Sequence, residues 1–231
     1  MLLSASALFV ALHSLISGTP LRARLVRALG PRAYQGAFSL ASLAALGFIV
    51  FGYRRAFAFD NVFYWHFGTP PAALSVPVML TALFFVVAGL SSPNPTSVGQ
   101  EKLLASAPEP RGIQRVTRHP FLWGVIVWSS FHLTVNGDRA SLALFATFLV
   151  VSLVGTFSID QKRAQDLGET WSSYVAQSSN LPFAAIATGK NRFVFSEIGL
   201  GRVLATLLVF AAIVSIHPWL FGAYPLPGMD D

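Results

Sequence analysis

No cysteine occurs in the 231 residues. That absence excludes disulfides, thiolate metal sites, iron–sulfur clusters and cysteine nucleophiles. Charge is also scarce. Asp, Glu, Lys and Arg together make up 11% of the chain, against roughly 25% in an ordinary soluble domain. No Gly-rich phosphate loop, no Ser-His-Asp order and no His-x-x-x-His spacing can be found. A metal or cofactor would therefore have to be held by histidine, carboxylate or backbone groups. Acidic residues are the rarer sign, 10 against 16 basic, for a net charge of +6. The basic residues cluster in loops beside apolar blocks, which is the orientation signal of a membrane protein and not a nucleic-acid footprint. No nucleic-acid partner is expected.

Apolar bulk is abundant. Hydrophobic residues make up 54% of the chain, with 20 Phe and 5 Trp, and they come in blocks rather than in one-face stripes. Six stretches, at about 2–17, 37–53, 72–90, 120–135, 140–159 and 199–222, are bounded by Pro, Gly or charge. Blocks of this kind are read as lipid-exposed spans. The prediction is an all-α polytopic membrane helix bundle of about six transmembrane helices, forming one integral membrane domain over 1–231. The first stretch has no Lys or Arg ahead of it and no convincing small-x-small cleavage site, so it reads as a retained helix.

Orientation follows from the loop cations. Alternate segments carry Arg22, Arg24, Arg27 and Arg32, then Lys102, Arg111, Arg115 and Arg118, then Lys162, Arg163, Lys190 and Arg192. The opposite side carries Arg54, Arg55 and Arg139, and Arg202 stands at the foot of the last span. Twelve against three, with that one left over, accounts for all 16. Both termini are thus expected on the non-cytoplasmic side, with 91–118 and 160–198 as cytoplasmic segments. The loop 57–71 is aromatic enough to lie at headgroup level, and Gly168 is expected to turn the chain into a short amphipathic helix.

Ionisable side chains inside lipid are costly and usually mark a site. His132 shares a helix face with Trp128, Val125, Gly124 and Phe121. A histidine above a glycine and flanked by aromatics suits a flat porphyrin, but periodicity alone favours a histidine hydrogen-bonded to a neighbouring helix. His13, with Phe9 and Ser6 on its face and Ser17 one turn on, is a second intramembrane histidine. Two in a cysteine-free bundle permit a bis-histidine haem b site. By helical rise His132 matches His217 in depth better than it matches His13, so His217 is an alternative ligand.

His119 is turned roughly 220° from His132 on the helix and cannot share its site. With Arg115, Arg118 and Pro120 it forms an anion-binding corner at a helix start. Asp160, Arg163, Glu169, Trp171 and Tyr174 are expected on the same side, where they could close a polar pocket for an anionic or nucleotide-like ligand.

The run Thr117-Arg-His-Pro-Phe-Leu-Trp-Gly124, followed by Trp128, His132 and Asn136-Gly-Asp138, closely resembles the NnrU family. So do Leu12-His-Ser14, Leu29-Gly-Pro-Arg-Ala-Tyr34 and His217-Pro-Trp-Leu-Phe-Gly222. NnrU proteins are bacterial inner-membrane proteins associated with nitrite and nitric oxide metabolism. They are similar to the plant 15-cis-ζ-carotene isomerase, which uses haem b in a redox-gated cis-to-trans isomerisation. The resemblance implies a multi-pass inner-membrane protein with haem b ligated by His13 and His132. Trp128 and Phe121 would pack the macrocycle, with Gly124 letting the ring approach, and Arg22 or Arg118 would pair with its propionates. It also implies a hydrophobic or small nitrogen-oxide substrate, and assigns no catalytic residue. A wider likeness, to the isoprenylcysteine carboxyl methyltransferases, rests on Arg118-His-Pro120 and on Gly168-x-x-Trp171-x-x-Tyr174. It implies S-adenosylmethionine at Arg118, His119, Asp160, Glu169 and Tyr174 as the alternative cofactor. A non-catalytic assembly factor is the third class.

Overall fold

The computed structural model describes residues 1–16, 19–59, 61–65, 72–97, 99–100, 103–106, 109–227 and 229. Ser17, Lys102 and positions 66–71 of the aromatic loop lie outside them. Most of the described residues are helical. The elements are α1 (Leu2–Ala11), α2 (Pro20–Leu29), α3 (Pro31–Phe59), β1 (Phe63–Trp65), α4 (Ala72–Ser91), α5 (Leu103–Ser106), α6 (Pro120–Val135), β2 (Gly137–Asp138), α7 (Arg139–Leu167), α8 (Glu169–Ala176), α9 (Ala184–Ala187) and α10 (Leu200–Phe221).

Among the described residues, α3, α4, α7 and α10 are each long and apolar enough to cross a membrane. The α1 and α2 segments together make a fifth candidate. The remaining apolar stretch falls on α6 with the expected bounds, but its 16 residues rise only about 24 Å, less than the hydrocarbon thickness of about 30 Å. Two helices are longer than their apolar blocks. α3 begins at Pro31, where proline is favoured because its missing N–H would be unpaired anyway. α7 runs eight residues past the apolar block, carrying Asp160, Lys162 and Arg163 on the same helix. Gly168 turns the chain into α8 as expected, with φ at +51°, a value that glycine adopts without a steric penalty.

The helices fall into two compact units, each described by itself. The first comprises Met1–Phe67 with Ser129–Ser158, the second Gly68–Trp128 with Ile159–Asp231. The core of the first unit gathers Leu2, Ala5 and Phe9 of α1, Ala45 and Ile49 of α3 and Ala140 of α7. Gly52 lets α1 and α3 meet closely, since a Cβ there would lie 3.0 Å from the Leu2 Cα. A small antiparallel pair, β1 with β2, was not foreseen by the sequence analysis. It is fastened by polar side chains. Asn61 Nδ2 donates to Asp138 Oδ1 at 2.8 Å, and the same oxygen accepts the Ser141 N–H at 2.9 Å, capping α7.

In the second unit, α4 packs on α10 and α6 packs on α4. Gly124 is the point of contact between the latter two. A Cβ there would stand 2.6 Å from the Ala82 carbonyl oxygen and 2.8 Å from the Val86 nitrogen. This corrects the porphyrin reading of Gly124, because the space above it is filled by the backbone of α4. Close backbone approach at small residues is how membrane helices associate where lipid supplies no hydrophobic drive. Gly47, mid-way along α3, has nothing within 4 Å of its Cβ position.

The two glycines should therefore respond oppositely to alanine. Gly124→Ala is expected to destabilise the detergent-solubilised protein by about 1–3 kcal/mol through overpacking. Gly47→Ala should be neutral or stabilising by about 0.5–1 kcal/mol. Thermal unfolding of both variants checks this, and equal shifts in the same direction would contradict the packing role of Gly124.

Candidate functional site

The densest polar constellation lies in the second unit, where the start of α6 meets the polar end of α7. Arg118 lays its guanidinium on the Asp160 carboxylate, with Nε donating to both oxygens at 2.9 and 3.0 Å and Nη2 also donating. His119 meets the same carboxylate, Nε2 to Oδ1 at 2.7 Å. The pairing is largely withdrawn from water: side-chain exposure is 10% for Arg118, 19% for Asp160 and 0% for His119. A carboxylate so placed needs both partners, because burying an unpaired charge costs several kcal/mol.

Backbone groups and neighbouring loops hold this cluster. The Arg118 N–H donates to the Ser179 carbonyl at 3.0 Å. The Arg118 carbonyl accepts from Thr96 Oγ1 at 2.9 Å and from Asn94 Nδ2 at 3.3 Å. Asn94 also closes an Asx turn onto the Thr96 N–H at 3.0 Å. One turn beyond Asp160, Arg163 reaches the same loop, donating to the Pro95 and Ser97 carbonyls at 2.9 Å each. Tyr174 is wholly buried and donates its hydroxyl to Gln114 Oε1 at 3.0 Å, and Trp171 packs on it at 5.5 Å between ring centroids. Burial pushes the Tyr174 phenol up from its ordinary value, so it remains a neutral donor.

His119 is the chemically unusual member. Its Nε2 faces a carboxylate, so in the neutral form Nε2 carries the proton and Nδ1 presents a lone pair. That Nδ1 is buried without a partner in the structure. Burial lowers the pKa of the imidazole below its usual 6.5, and Asp160 opposes that shift. Protonation would leave a second N–H buried and unpaired. The Asn180 Nδ2 is likewise buried and unpaired, while its Oδ1 accepts from the Trp123 indole at 3.2 Å.

Of the residues expected at this corner, Arg118, His119 and Asp160 come together and Arg163 and Tyr174 lie in the same network. Glu169 is exposed at the start of α8. Arg115 turns instead to Glu197, a residue the sequence analysis did not single out. Nε and Nη2 grip the two carboxylate oxygens at 2.8 and 2.9 Å, and the Gly112 N–H adds 2.7 Å. The hydrogen bonds from Arg115 bring the Glu197 carboxyl down to about 2. A lone acid just ahead of an apolar span was the available signal. Asn94, enclosed by Pro93 and Pro95, was the other.

The intramembrane histidines sit elsewhere. His13 lies in the first unit on a single π-helical turn, Leu12–Ile16, that continues α1. Such turns recur at functional positions. Its Nδ1 donates to the Phe9 carbonyl at 2.8 Å, which fixes the tautomer and leaves Nε2 as a bare nitrogen. Phe9 and Phe38 flank the ring at 4.2 and 5.4 Å between centroids. His132, also in the first unit, lies 4.6 Å from the Phe145 ring. Phe9 packs on Phe148, three residues from Phe145 on α7, so both histidine environments use one face of that helix. Trp128 is half-buried on α6. His217, in the second unit, donates from Nδ1 to the Ala223 carbonyl at 2.7 Å near the end of α10. Among the described residues no group of three or more His, Asp or Glu could hold a metal ion together.

Fold and sites define an all-α, multi-pass membrane protein with a largely buried Arg-His-Asp cluster. The chain belongs to the NnrU family, described as "NnrU protein", which matches residues 1–225. It is also similar to two chloroplastic 15-cis-zeta-carotene isomerases. With that of Arabidopsis thaliana it is 34% identical over 79 residues, 34% of this chain and 22% of the relative. With that of Zea mays it is 28% identical over 121 residues, 50% of this chain and 33% of the relative. The matched stretches thus span at most a third of those relatives' length. No solved structure matches the chain.

The buried imidazole makes stability depend on pH. The unfolded chain binds a proton at His119 near pH 6.5, whereas burial holds the folded pKa lower. Stability is therefore whole above about pH 6.5 and falls as pH drops toward the folded pKa. The unfolding midpoint should fall between about pH 7.5 and 5.5, and the slope should flatten in His119→Gln, whose amide can still donate to Asp160. Identical slopes in the two proteins would contradict the buried neutral imidazole.

Proposed function

We propose that this protein is an isomerase-type enzyme of the bacterial inner membrane that acts on an apolar cis polyene with haem b, which His13 and His132 would hold. The observation behind this reading is the state of His13. Its Nδ1–H is committed to the Phe9 carbonyl, and a histidine whose second nitrogen is tied in this way would hold a metal centre through Nε2. The donor set fits haem b: two imidazoles, no thiolate anywhere in the chain, and aromatic walls from Phe9, Phe38 and Phe145. When bound, haem b supplies a one-electron redox centre at those ligands.

The chain's own residues bind, orient and exclude water. Phe9 and Phe38 restrict the His13 ring to one plane, and the π turn offsets it from the regular path of α1. The apolar surroundings exclude water and favour a hydrocarbon over a charged substrate. The activity for which the relatives are named, isomerisation of a 15-cis carotene, supports the same substrate class. A nitrogen-oxide substrate, also redox chemistry, rests on the family association alone. The methyltransferase-like reading has less to stand on. Arg118 and Asp160 use their hydrogen bonds on each other, Tyr174 is committed to Gln114, and Glu169 faces solvent.

The test is isomer analysis by liquid chromatography of a cis-ζ-carotene incubated with the protein in reduced proteoliposomes. The wild-type chain should convert cis to trans isomer, and His13→Ala should lose at least about tenfold of that rate. An unchanged isomer ratio with a haem-replete wild-type protein would overturn the substrate assignment.

A further inference from the structure

In the second unit a groove of about 360 Å³ runs between α4 and α10 under the segment 183–198. This volume is within the range of ligand sites, about 300–1,000 Å³. Leu80, Phe84, Phe193, Phe195, Val203 and Leu207 line much of it. Two hydroxyls also face it, and both are used within their own helices: Thr81 Oγ1 donates to the Pro77 carbonyl and Thr206 Oγ1 to that of Arg202, each at 2.8 Å. The walls therefore offer no free hydrogen-bond donor to a polar occupant. Both flanking helices are candidate membrane spans. Arg202 ties the ends of the two together by donating to the Ser91 hydroxyl and carbonyl. Thr81 stands ten residues before Ser91, so the groove descends about 15 Å along the span from that end.

The polar end carries charge of one sign. Lys190 and Arg192 are exposed beside Phe193. The acid of this segment, Glu197, is occupied by Arg115. Arg115 also donates to the Asn191 Oδ1 at 2.9 Å, which sets the residue between the two cations. Phe183, which lines the groove, has φ of +65°, a strained conformation for a bulky residue of the kind found at ligand clamps. An apolar slot that enters the bilayer from a cationic rim matches an amphiphile with an anionic head, and does not match a plain hydrocarbon.

We propose that this groove is a specific site for one acyl chain of an anionic phospholipid, with Lys190 and Arg192 meeting its headgroup. The site is independent of the isomerase reading. Juxtamembrane cations of this kind attract anionic lipid, and the closed hydroxyls select the chain.

The test is native mass spectrometry of the detergent-purified protein with phosphatidylglycerol and phosphatidylcholine of identical chains. One phosphatidylglycerol should be retained per chain, with a several-fold preference over phosphatidylcholine. Leu207→Trp fills the groove and should abolish retention. Leu208→Trp adds the same bulk at a position 72% exposed and outside the groove lining, and should leave retention intact. It also controls for folding. The double variant Lys190→Ser, Arg192→Ser should retain lipid but lose the headgroup preference. Equal retention by Leu207→Trp and Leu208→Trp would reduce the lipid to an annular one and overturn the site. Equal affinity of the wild-type chain for both lipids would overturn the headgroup assignment.

Discussion

The shared carboxylate of Asp160 is the constraint around which the second unit is organised. A chain with so few charges does not bury one without fixing its partners, and here the two come from consecutive residues, Arg118 and His119. Their backbone must then stop and turn at the start of α6, where Pro120 begins the helix at no hydrogen-bonding cost. The Arg118 carbonyl fixes the turn at Asn94 and Thr96, and its N–H fixes the loop after α8 through Ser179. Arg163, on the next turn of α7, secures the 95–97 backbone. Three separated stretches of chain are thus held by one acid and the cations that answer it. The strength of such a knot lies in completeness, since losing any one member leaves a buried charge or donor without a partner.

The helices themselves were legible because lipid imposes block hydrophobicity, and the bounds of α6 and the turn at Gly168 could be read directly from the sequence. Helix partners were not legible. A helix that is apolar on every side carries no stripe to say which face is inside, so the role of Gly124 against α4 could not be separated from an approach to a cofactor. Charge was more informative than apolarity. Asp160 was expected on the same side as Arg118 and His119, and the fold pairs it with both. Glu197 was missed because it stands alone in sequence and meets Arg115 only through the tertiary fold. The β1–β2 pair was missed because Gly137-Asp138 is too short to carry an alternating pattern. The π turn at His13 has no sequence signal, since it inserts one residue into an otherwise ordinary helix.

The five histidines illustrate how residue type alone underdetermines role. His119 is buried against a carboxylate and held neutral. His13 is tied to its own helix and flanked by rings. His217 is spent on a carbonyl beyond the last span. His132 sits against an aromatic ring of α7. His66 lies outside the described residues. The physical difference between His13 and His119 is which nitrogen is left over and what surrounds it: an apolar, aromatic setting for the one, a charged and hydrogen-bonded network for the other. A redox cofactor with a large hydrophobic macrocycle matches the first setting, and this is the ground on which the haem assignment stands.

The most direct test of that assignment is the visible absorption spectrum of the detergent-purified protein, as isolated and after reduction with dithionite. Haem b held by His13 and His132 predicts a Soret band and sharp reduced α and β bands, lost in His13→Ala. A flat visible spectrum from protein expressed with added haem precursor would contradict it.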